Sequence, residues 1–317
     1  MFDDKIELLS EKLIDLHLDV AIEVLAMSSR LSIPLGWHYL LDIIWVLVNI
    51  REYRNSLDKD EELTVLEVGA GHGLLQFILA SSDYQVISVD IAQRDMPDNL
   101  KNLYQFNFMN DSKNLTNEYL KHHNMLPKSF YQRVFLKLIN LSPKSFVMGI
   151  SRRLGNNPRR LEQLSENTVK KPVIKIYQAD ARDMSLLPDS QIDFGVSISA
   201  LEHNDPKLAN GIQQELLRVI KKGGQILHTI SATRHGCGFH EPSHSFLLDE
   251  EGLAKTYLLK EYKSNFSQWG DIEKFLAEPK YLSRWLSSMY YNSGKNGMPW
   301  GVWDPGYLPV GVKKVLI

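Results

Sequence analysis

The amino-acid sequence predicts an α/β fold with a mainly parallel sheet that is covered by helices on both faces. Short apolar strands alternate with segments of helical periodicity, which is typical of parallel sheets because their connections cross over through helices. Acidic residues and glycines follow directly after several of the strands. Because ligands gather at the carboxyl ends of parallel strands, these residues predict a binding site at one edge of the sheet. The predicted strands are 63–68, 85–90, 173–177, 192–197 and 225–230.

The first of these strands ends in a glycine-rich loop, Glu67-Val68-Gly69-Ala70-Gly71-His72-Gly73, which passes into a helical segment. Glycine lets the backbone turn sharply and approach a ligand where a Cβ atom would collide. Dinucleotide enzymes space their glycines as G-x-G-x-x-G, with the helix N-terminus facing a pyrophosphate. Here the third glycine comes one residue earlier, and the Glu67 carboxylate stands two residues before the first. A carboxylate would repel a pyrophosphate but suits a ligand that carries an ammonium group.

This loop resembles the first motif of class I S-adenosylmethionine-dependent methyltransferases, and residues 63–231 are similar to the core of that family, with one interruption. The resemblance implies a Rossmann-like, doubly wound sheet of seven strands in the order 3-2-1-4-5-7-6, with S-adenosylmethionine as the cofactor. Acids after strands also cap helices and turns, so Asp90 and Asp180 have a structural alternative. By the resemblance, the cofactor-binding residues are Glu67 and Gly69 near the methionine ammonium, Gly71 and Gly73 at the loop backbone, Asp90 on the ribose, Asp180 and Ala181 at the adenine, and Ser199 at the methionine part.

Residues 1–60 are predicted to form an N-terminal helical cap, followed by a methyltransferase domain at 61–317. An apolar stripe at helical spacing marks the first helix, and Pro34-Leu35-Gly36 separates it from a second helix, Trp37–Ile50, which is apolar on nearly all sides. In the family that the loop resembles, such a helix packs over the methionine end of the cofactor. Trp37, His38 and Tyr39 are therefore candidates to line the mouth of the site, with Trp37 and Tyr39 as substrate residues. The alternative is an aromatic cluster in the core. The stripe comprises Ile6, Leu9, Leu13, Leu16 and Val20.

A long interruption separates the second strand from the third, because Asp90 and Val173 lie 83 positions apart. We interpret residues 95–171 as a basic helical insertion or lid. Within 112–171 there are twelve Lys and Arg and three acids, a net charge of +9, so the rest of the chain carries −11 to give the overall −2.

A basic segment with interleaved apolar residues attracts polyanions or an anionic membrane surface. Two partners fit best, namely a small or lipid-linked anionic acceptor and the inner leaflet of a membrane, with which the enzyme would make peripheral contact. Nucleic acid ranks last, because the remainder of the chain is acidic and contains no nucleic-acid-binding module. The alternative is a solvated lid whose positive charge balances the acidic core.

A second chemically rich stretch, residues 228–244, contains four histidines, an arginine and the single cysteine. A histidine titrates near neutrality and is suited to remove a proton from an acceptor hydroxyl. Arg234 is a candidate to bind an acceptor carboxylate or phosphate. A zinc site at His235, Cys237, His240 and His244 is disfavoured, because their spacing matches no established zinc module. The candidate bases are His203, His235, His240 and His244.

The C-terminal third is predicted to contain a helix at 248–258, a strand at 259–265, a second helix at 271–291 and a last strand at 307–317. By the resemblance, the two final strands form an antiparallel edge. Trp300, Trp303 and Tyr307 near the end are candidates to stack on a sugar or another ring, and aromatic packing explains them equally well.

Composition is consistent with a cytoplasmic enzyme. One cysteine excludes an internal disulfide, the N-terminus lacks the pattern of a secretory signal, and the longest apolar stretch is shorter than the roughly 20 residues that span a bilayer. We therefore expect a methyltransferase, O-methylating a small-molecule or lipid- or nucleotide-linked acceptor such as a sugar. The alternatives are an inactive binding or scaffold protein with the same fold, a nucleic-acid methyltransferase, and an NAD-dependent reductase.

Overall fold

The computed structural model of the protein describes residues 3–36, 38–57, 61–110, 171–277 and 306–317. Eleven strands occur in these ranges: β1 (Lys5–Leu8), β2 (Thr64–Val68), β3 (Gln85–Asp90), β4 (Gln105–Phe108), β5 (Val173–Gln178), β6 (Ile192–Ile198), β7 (Ile220–Ala232), β8 (Gly238–His240), β9 (Ser245–Leu247), β10 (Lys263–Ser264) and β11 (Leu308–Val315). The α-helices in the same ranges are α1 (Lys12–Leu16), α2 (Leu18–Leu31), α3 (Tyr39–Asn55), α4 (Leu75–Ala80), α5 (Asp98–Leu103), α6 (Pro206–Val219), α7 (Glu250–Thr256) and α8 (Trp269–Ala277).

The centre of the main sheet confirms the predicted α/β fold. Five parallel strands run in the order β5-β3-β2-β6-β7, which reproduces the expected order 3-2-1-4-5, and β11 pairs antiparallel with β7 as expected of a last strand. These strands are rich in valine and isoleucine and are buried on both faces, as parallel strands require. Their carboxyl ends therefore lie along one edge of the sheet, where the glycine loop begins.

The main sheet has nine strands within the described residues, whereas seven were predicted, and the difference lies at its edges. Ile6, which the helical stripe includes, lies in β1, a strand that pairs antiparallel with β11 and parallel with β10. Alternate residues Ile6 and Leu8 are buried, so the local period is two and not three or four. The predicted strand 259–265 is reduced to β10 and lies outside β1, so the edge order differs from 7-6.

The start of the predicted insertion, at about residue 95, lies within the described residues. Residues 98–103 form α5 and residues 105–108 form β4, which pairs parallel with β5 at the opposite edge of the sheet. The basic segment itself lies outside the described residues, as does Trp37.

Helices cover both faces of the sheet, and neighbouring residues of β6 show which helix lies on which face. Phe194 packs its ring against Tyr53 of α3, with ring centroids 4.9 Å apart, whereas a Cβ atom on Gly195 would meet Leu216 of α6 at 2.9 Å. Successive residues of a strand point to opposite faces, so α3 and α6 lie on opposite sides. The predicted helix in this apolar stretch is confirmed from Tyr39 onward, and it is buried on nearly all sides.

Gly311 of β11 allows α3 to lie close to the sheet. A Cβ atom at this position would come within 2.4 Å of the Trp45 indole, which is fully buried. The indole nitrogen of Trp45 donates a hydrogen bond to Glu7 of β1 at 2.9 Å, so α3 contacts both β1 and β11. None of the described helices is long and apolar enough to cross a lipid bilayer.

Candidate active site

The glycine loop after β2 adopts backbone conformations that favour glycine. Gly69 and Gly71 have φ angles of +69° and +47°. A Cβ atom on Gly69 would lie 2.5 Å from the Cβ of Ala200, which follows β6, and one on Gly73 would lie 2.9 Å from the carbonyl oxygen of Ala70. The loop is therefore packed against the end of the neighbouring strand, and its glycines are required by geometry.

Asp90, at the end of β3, holds this loop in place. Its Oδ2 accepts a hydrogen bond from the backbone N–H of Gly71 at 2.9 Å, and its Oδ1 accepts one from Ala92 at 2.8 Å. Two carboxylate oxygens offer about four acceptor positions, so capacity remains for the hydroxyl groups of a ligand. Asp90 thus has the turn-capping role, and its contact with a ribose stays a prediction.

A buried network beneath the loop was not predicted from the sequence. Arg94 is 5% exposed and donates to the carbonyl oxygen of Gly71 at 3.0 Å and to both the carbonyl and the hydroxyl oxygen of Ser88 at 2.6 Å. Gln76 donates to the carbonyl oxygen of Gly73 at 3.0 Å and accepts from the Ser88 hydroxyl. The loop carbonyls are thereby held from below, which fixes the shape of the cradle above.

Glu67 is buried at the end of β2, and within the described part of the chain one of its carboxylate oxygens, Oε2, has no hydrogen-bond partner. Burial raises the pKa of Glu67 to about 8, although Arg94 and a hydrogen bond from Gln76 oppose the rise. An unsatisfied carboxylate beside a cradle of glycine backbone is suited to a ligand that brings a positively charged donor.

We expect the affinity for S-adenosylhomocysteine, which carries an ammonium group, to rise between pH 6 and pH 8. Because the pKa of Glu67 in the free protein is about 8, the carboxyl is largely protonated at pH 7, and a bound ammonium would favour its ionised form. Binding should therefore release a proton at pH 7. Calorimetric titration in two buffers of different ionisation enthalpy measures this release.

The matched variant for this prediction is Glu67→Gln, which keeps the shape of the side chain and cannot ionise. Subtracting its pH profile from that of the wild type removes titration of the ligand itself. Proton release that is the same in both proteins would contradict the assignment of the titration to Glu67.

Asp180 and Ala181, at the predicted adenine end, lie just after β5. The Asp180 carboxylate accepts hydrogen bonds from the backbone N–H of Arg182 at 2.9 Å and from its guanidinium group. A base amino group would therefore share this carboxylate with Arg182. Ala181 is partly buried and packs against the core.

Ser199 lies at the carboxyl end of β6 and is one of the few non-glycine residues with a positive φ angle, +45°. Such a conformation costs on the order of 1–3 kcal/mol and is found most often at functional sites. Its side chain is buried, and its hydroxyl donates to Oδ2 of Asp42 in α3 at 3.0 Å. With this backbone conformation, the hydroxyl group of Ser199 points toward Asp42 of α3.

Asp42 and His38 form a buried pair at the N-terminal end of α3, where Nδ1 of His38 lies 2.7 Å from Oδ2 of Asp42. Burial lowers the pKa of His38, but the Asp42 carboxylate and Glu202 outweigh it, so the pKa of His38 lies above its ordinary value. The His38 ring also packs edge-on against Tyr39 and Tyr307. Tyr307 is buried, so it is part of this cluster instead of an exposed stacking surface.

The predicted histidine bases separate into two groups. Nδ1 of His203 lies 2.9 Å from the carbonyl oxygen of His244, and Nδ1 of His240 lies 2.7 Å from the hydroxyl of Ser243. The His240 ring packs on Tyr307 at 5.6 Å, which connects it to the His38 cluster. His235, in contrast, is exposed together with Arg234.

His228, within β7, is fully buried and belongs to the core. Burial lowers its pKa to about 3, so it is neutral at physiological pH. Its Nε2 lies 2.8 Å from Oε1 of Gln213, and its ring packs on Tyr257. The part of the chain that the structure covers contains no group of three or more His, Cys, Asp or Glu side chains arranged to hold a metal ion.

A family model described as a methyltransferase domain matches residues 152–228. This range includes β5, β6 and α6, the elements that follow the predicted interruption. Together with the glycine cradle, the match decides the identification. Residues 152–228 are identified as part of a methyltransferase domain.

Solved structures similar to the methyltransferase include a protein from Pyrococcus horikoshii (19% identity, TM-score 0.29, covering 60% of this chain and 56% of that one). Another is a SAM-dependent methyltransferase from Methanosarcina mazei (15% identity, TM-score 0.33, covering 66% of this chain and 81% of that one). A third is phosphoethanolamine N-methyltransferase 2 from Haemonchus contortus, in complex with S-adenosylmethionine (14% identity, TM-score 0.38, covering 85% of this chain and 52% of that one). The chain thus spans about half the length of the first and third. No curated protein matches it.

The residues present fit the cofactor S-adenosylmethionine. Any Cβ atom at Gly69 would collide with Ala200, the Glu67 carboxylate has an unpartnered oxygen for the ammonium, and Asp90 retains acceptor capacity for the ribose. The methyltransferase would hold the amino-acid portion near Glu67 and Gly69 and the nucleoside near Asp90.

Proposed function

We propose that the methyltransferase methylates a hydroxyl group of a small or lipid- or nucleotide-linked anionic acceptor, such as a sugar. The observation that carries this proposal is the hydrogen bond between His203 and the His244 carbonyl oxygen. A carbonyl oxygen only accepts, so Nδ1 of His203 must carry the proton, and the lone pair of the neutral ring lies on Nε2. His203 therefore has the tautomer that a general base needs.

The surrounding structure fixes this histidine at the carboxyl end of β6. Residues Leu201–His203 form a short 3-10 helix directly after Ala200, the residue that contacts the glycine loop. The buried Glu202 anchors this helix by accepting hydrogen bonds from the backbone N–H and the hydroxyl of Ser231. The proposed general base thus lies three residues after Ala200, which contacts the glycine loop.

When bound, S-adenosylmethionine supplies a methyl group on a sulfonium sulfur. The methyl carbon is already electrophilic, and the sulfur keeps the electron pair of the broken C–S bond. For a hydroxyl acceptor, the remaining task of the protein is to align the oxygen and accept its proton, and Nε2 of His203 is proposed to accept it. A neutral amine acceptor would need no base before attack, which is why the tautomer of His203 favours a hydroxyl.

We propose an anionic acceptor because two parts of the chain offer positive charge. The sequence from 112 to 171 carries a net charge of +9, and Arg234 is exposed after β7, where it is available to bind a phosphate or carboxylate. An acceptor attached to lipid would in addition bring the enzyme into peripheral contact with an anionic membrane.

Incubation of the methyltransferase with radiolabelled S-adenosylmethionine and cell extract, separated into lipid, glycan, nucleic-acid and small-molecule fractions, tests the proposal. We expect label in an anionic lipid-linked, nucleotide-linked or small-molecule fraction, as an ether that resists mild alkali. His203→Ala should reduce transfer at least 100-fold, whereas its affinity for S-adenosylhomocysteine should change less than twofold.

His17→Ala is the matched control, because His17 lies between α1 and α2 at the N-terminal side of the fold, and it should transfer as the wild type does. Label confined to nucleic acid, or undiminished transfer by His203→Ala, would contradict the proposal.

A further inference from the structure

The most unusual side chain outside the predicted site is the carboxylate of Asp42. It is fully buried in α3, a helix whose other buried residues are mostly apolar. Oδ2 of Asp42 accepts hydrogen bonds from His38 and Ser199, but Oδ1 is buried and has no hydrogen-bond partner among the described residues. Leaving one carboxylate oxygen unsatisfied in the interior costs on the order of 1–3 kcal/mol, so we expect a donor from outside the described residues to complete it.

Asp42 lies next to the cofactor cradle. Ser199, whose hydroxyl donates to Asp42, is followed by Ala200, and the methyl group of Ala200 occupies the space that a Cβ on Gly69 would need. The strands β2 and β6 are neighbours in the sheet, with Glu67 opposite Val196. Asp42 is therefore connected through Ser199 and Ala200 to the glycine loop that begins at Glu67.

Both acids have one oxygen without a partner, and this shared feature specifies the ligand group. A carboxylate only accepts hydrogen bonds, and a hydroxyl of an acceptor molecule supplies a single donor. An ammonium group has three N–H donors and a positive charge, so one such group satisfies two carboxylate oxygens at once. The amino-acid portion of S-adenosylmethionine carries this group.

We propose that Oδ1 of Asp42 accepts a hydrogen bond from the ammonium group of S-adenosylmethionine, with Glu67 as the second acceptor. His38 and Ser199 are positioning residues that hold the Asp42 carboxylate in the required orientation. The inference rests on the use of S-adenosylmethionine in the proposed function, and it assigns a cofactor-binding residue to α3.

Comparison of two ligands tests this inference without any measurement of activity. S-adenosylhomocysteine contains the amino-acid portion, whereas 5′-methylthioadenosine lacks it. Asp42→Asn should weaken the binding of S-adenosylhomocysteine roughly 10- to 100-fold by calorimetry, as expected for a lost hydrogen bond to a charged group, and should change 5′-methylthioadenosine binding less than twofold.

Asp193→Asn is the matched control, because Asp193 is also buried, lies at the opposite end of β6, and accepts a hydrogen bond from the backbone N–H of Thr64. It should leave the ratio of the two affinities unchanged. If Asp42→Asn does not fold, Asp42→Glu keeps the charge and displaces the oxygen atoms, so the same ratio should still fall.

Equal loss of both affinities, or no loss of either, would overturn the role of Asp42 and leave the proposed function standing. Failure of the wild-type protein to bind S-adenosylhomocysteine would overturn both proposals together. The two failures are therefore distinguishable.

Discussion

Gly69→Ala is expected to reduce the affinity of the methyltransferase for S-adenosylhomocysteine at least 100-fold. The new methyl group would lie 2.5 Å from the Cβ of Ala200, well inside van der Waals contact, so the loop or the end of β6 must move. The φ angle of +69° adds a conformational cost of about 1 kcal/mol. Because the loop backbone itself forms the cradle, its displacement removes the binding surface; calorimetric titration measures the loss.

Gly223→Ala separates the steric effect from the conformational one. Gly223 has a φ angle of +80°, but nothing lies within 4 Å of a Cβ atom built there, so this variant incurs only the conformational cost and should bind normally. The double variant Gly69→Ala with Ala200→Gly should recover most of the affinity, since it removes the colliding methyl group. Absence of recovery would show that the contact with Ala200 is not the cause.

Arg94→Met is expected to lower the free energy of unfolding by on the order of 3 kcal/mol and to move the pH dependence of ligand binding. The variant removes the donors to the carbonyl oxygens of Gly71 and Ser88 and leaves these acceptors buried. The positive charge of Arg94 also lowers the pKa of Glu67, so its loss should raise that pKa above 8. The affinity for S-adenosylhomocysteine should then reach its plateau at higher pH than in the wild type.

Urea unfolding and calorimetry between pH 6 and pH 9 measure these two effects. Arg54→Met provides the control, because Arg54 also donates to a backbone carbonyl, that of Ser82 at 3.1 Å, and lies over the ring of Tyr84, away from the loop. It should cost about 1 kcal/mol or less and leave the pH profile unchanged. An unchanged profile in Arg94→Met would refute the electrostatic link to Glu67.

The central sheet and the cradle could be predicted because they depend on local signals. Five apolar strands, several of them followed by a glycine or an acid, predict a parallel sheet and the edge at which a ligand binds. The conformations of Gly69 and Gly71 follow from residue type, and Asp90 lies at the end of β3 as the spacing predicts.

The remaining features depend on contacts between distant parts of the chain. No local pattern distinguishes Ile6 in a strand from Ile6 in a helical stripe; the difference is the backbone of β11, some 300 residues later. Arg94 carries no motif, and its role follows from burial beneath the loop. Asp42 did leave a signal, because a carboxylate inside an apolar helix needs a partner, but the sequence does not reveal that the partner is Ser199.

The pairing of β1 with β11 has a consequence for the order of events during synthesis. Residues 5–8 leave the ribosome first but obtain their main strand partner only when residues 308–315 have been made. Closing a loop of about 300 residues is slow relative to local pairing. Helix α3 is tied to both strands through Trp45, so the wall that carries Asp42 reaches its final position after the glycine cradle has formed. The side of the site that α3 and Asp42 provide is therefore expected to form later during synthesis than the glycine loop.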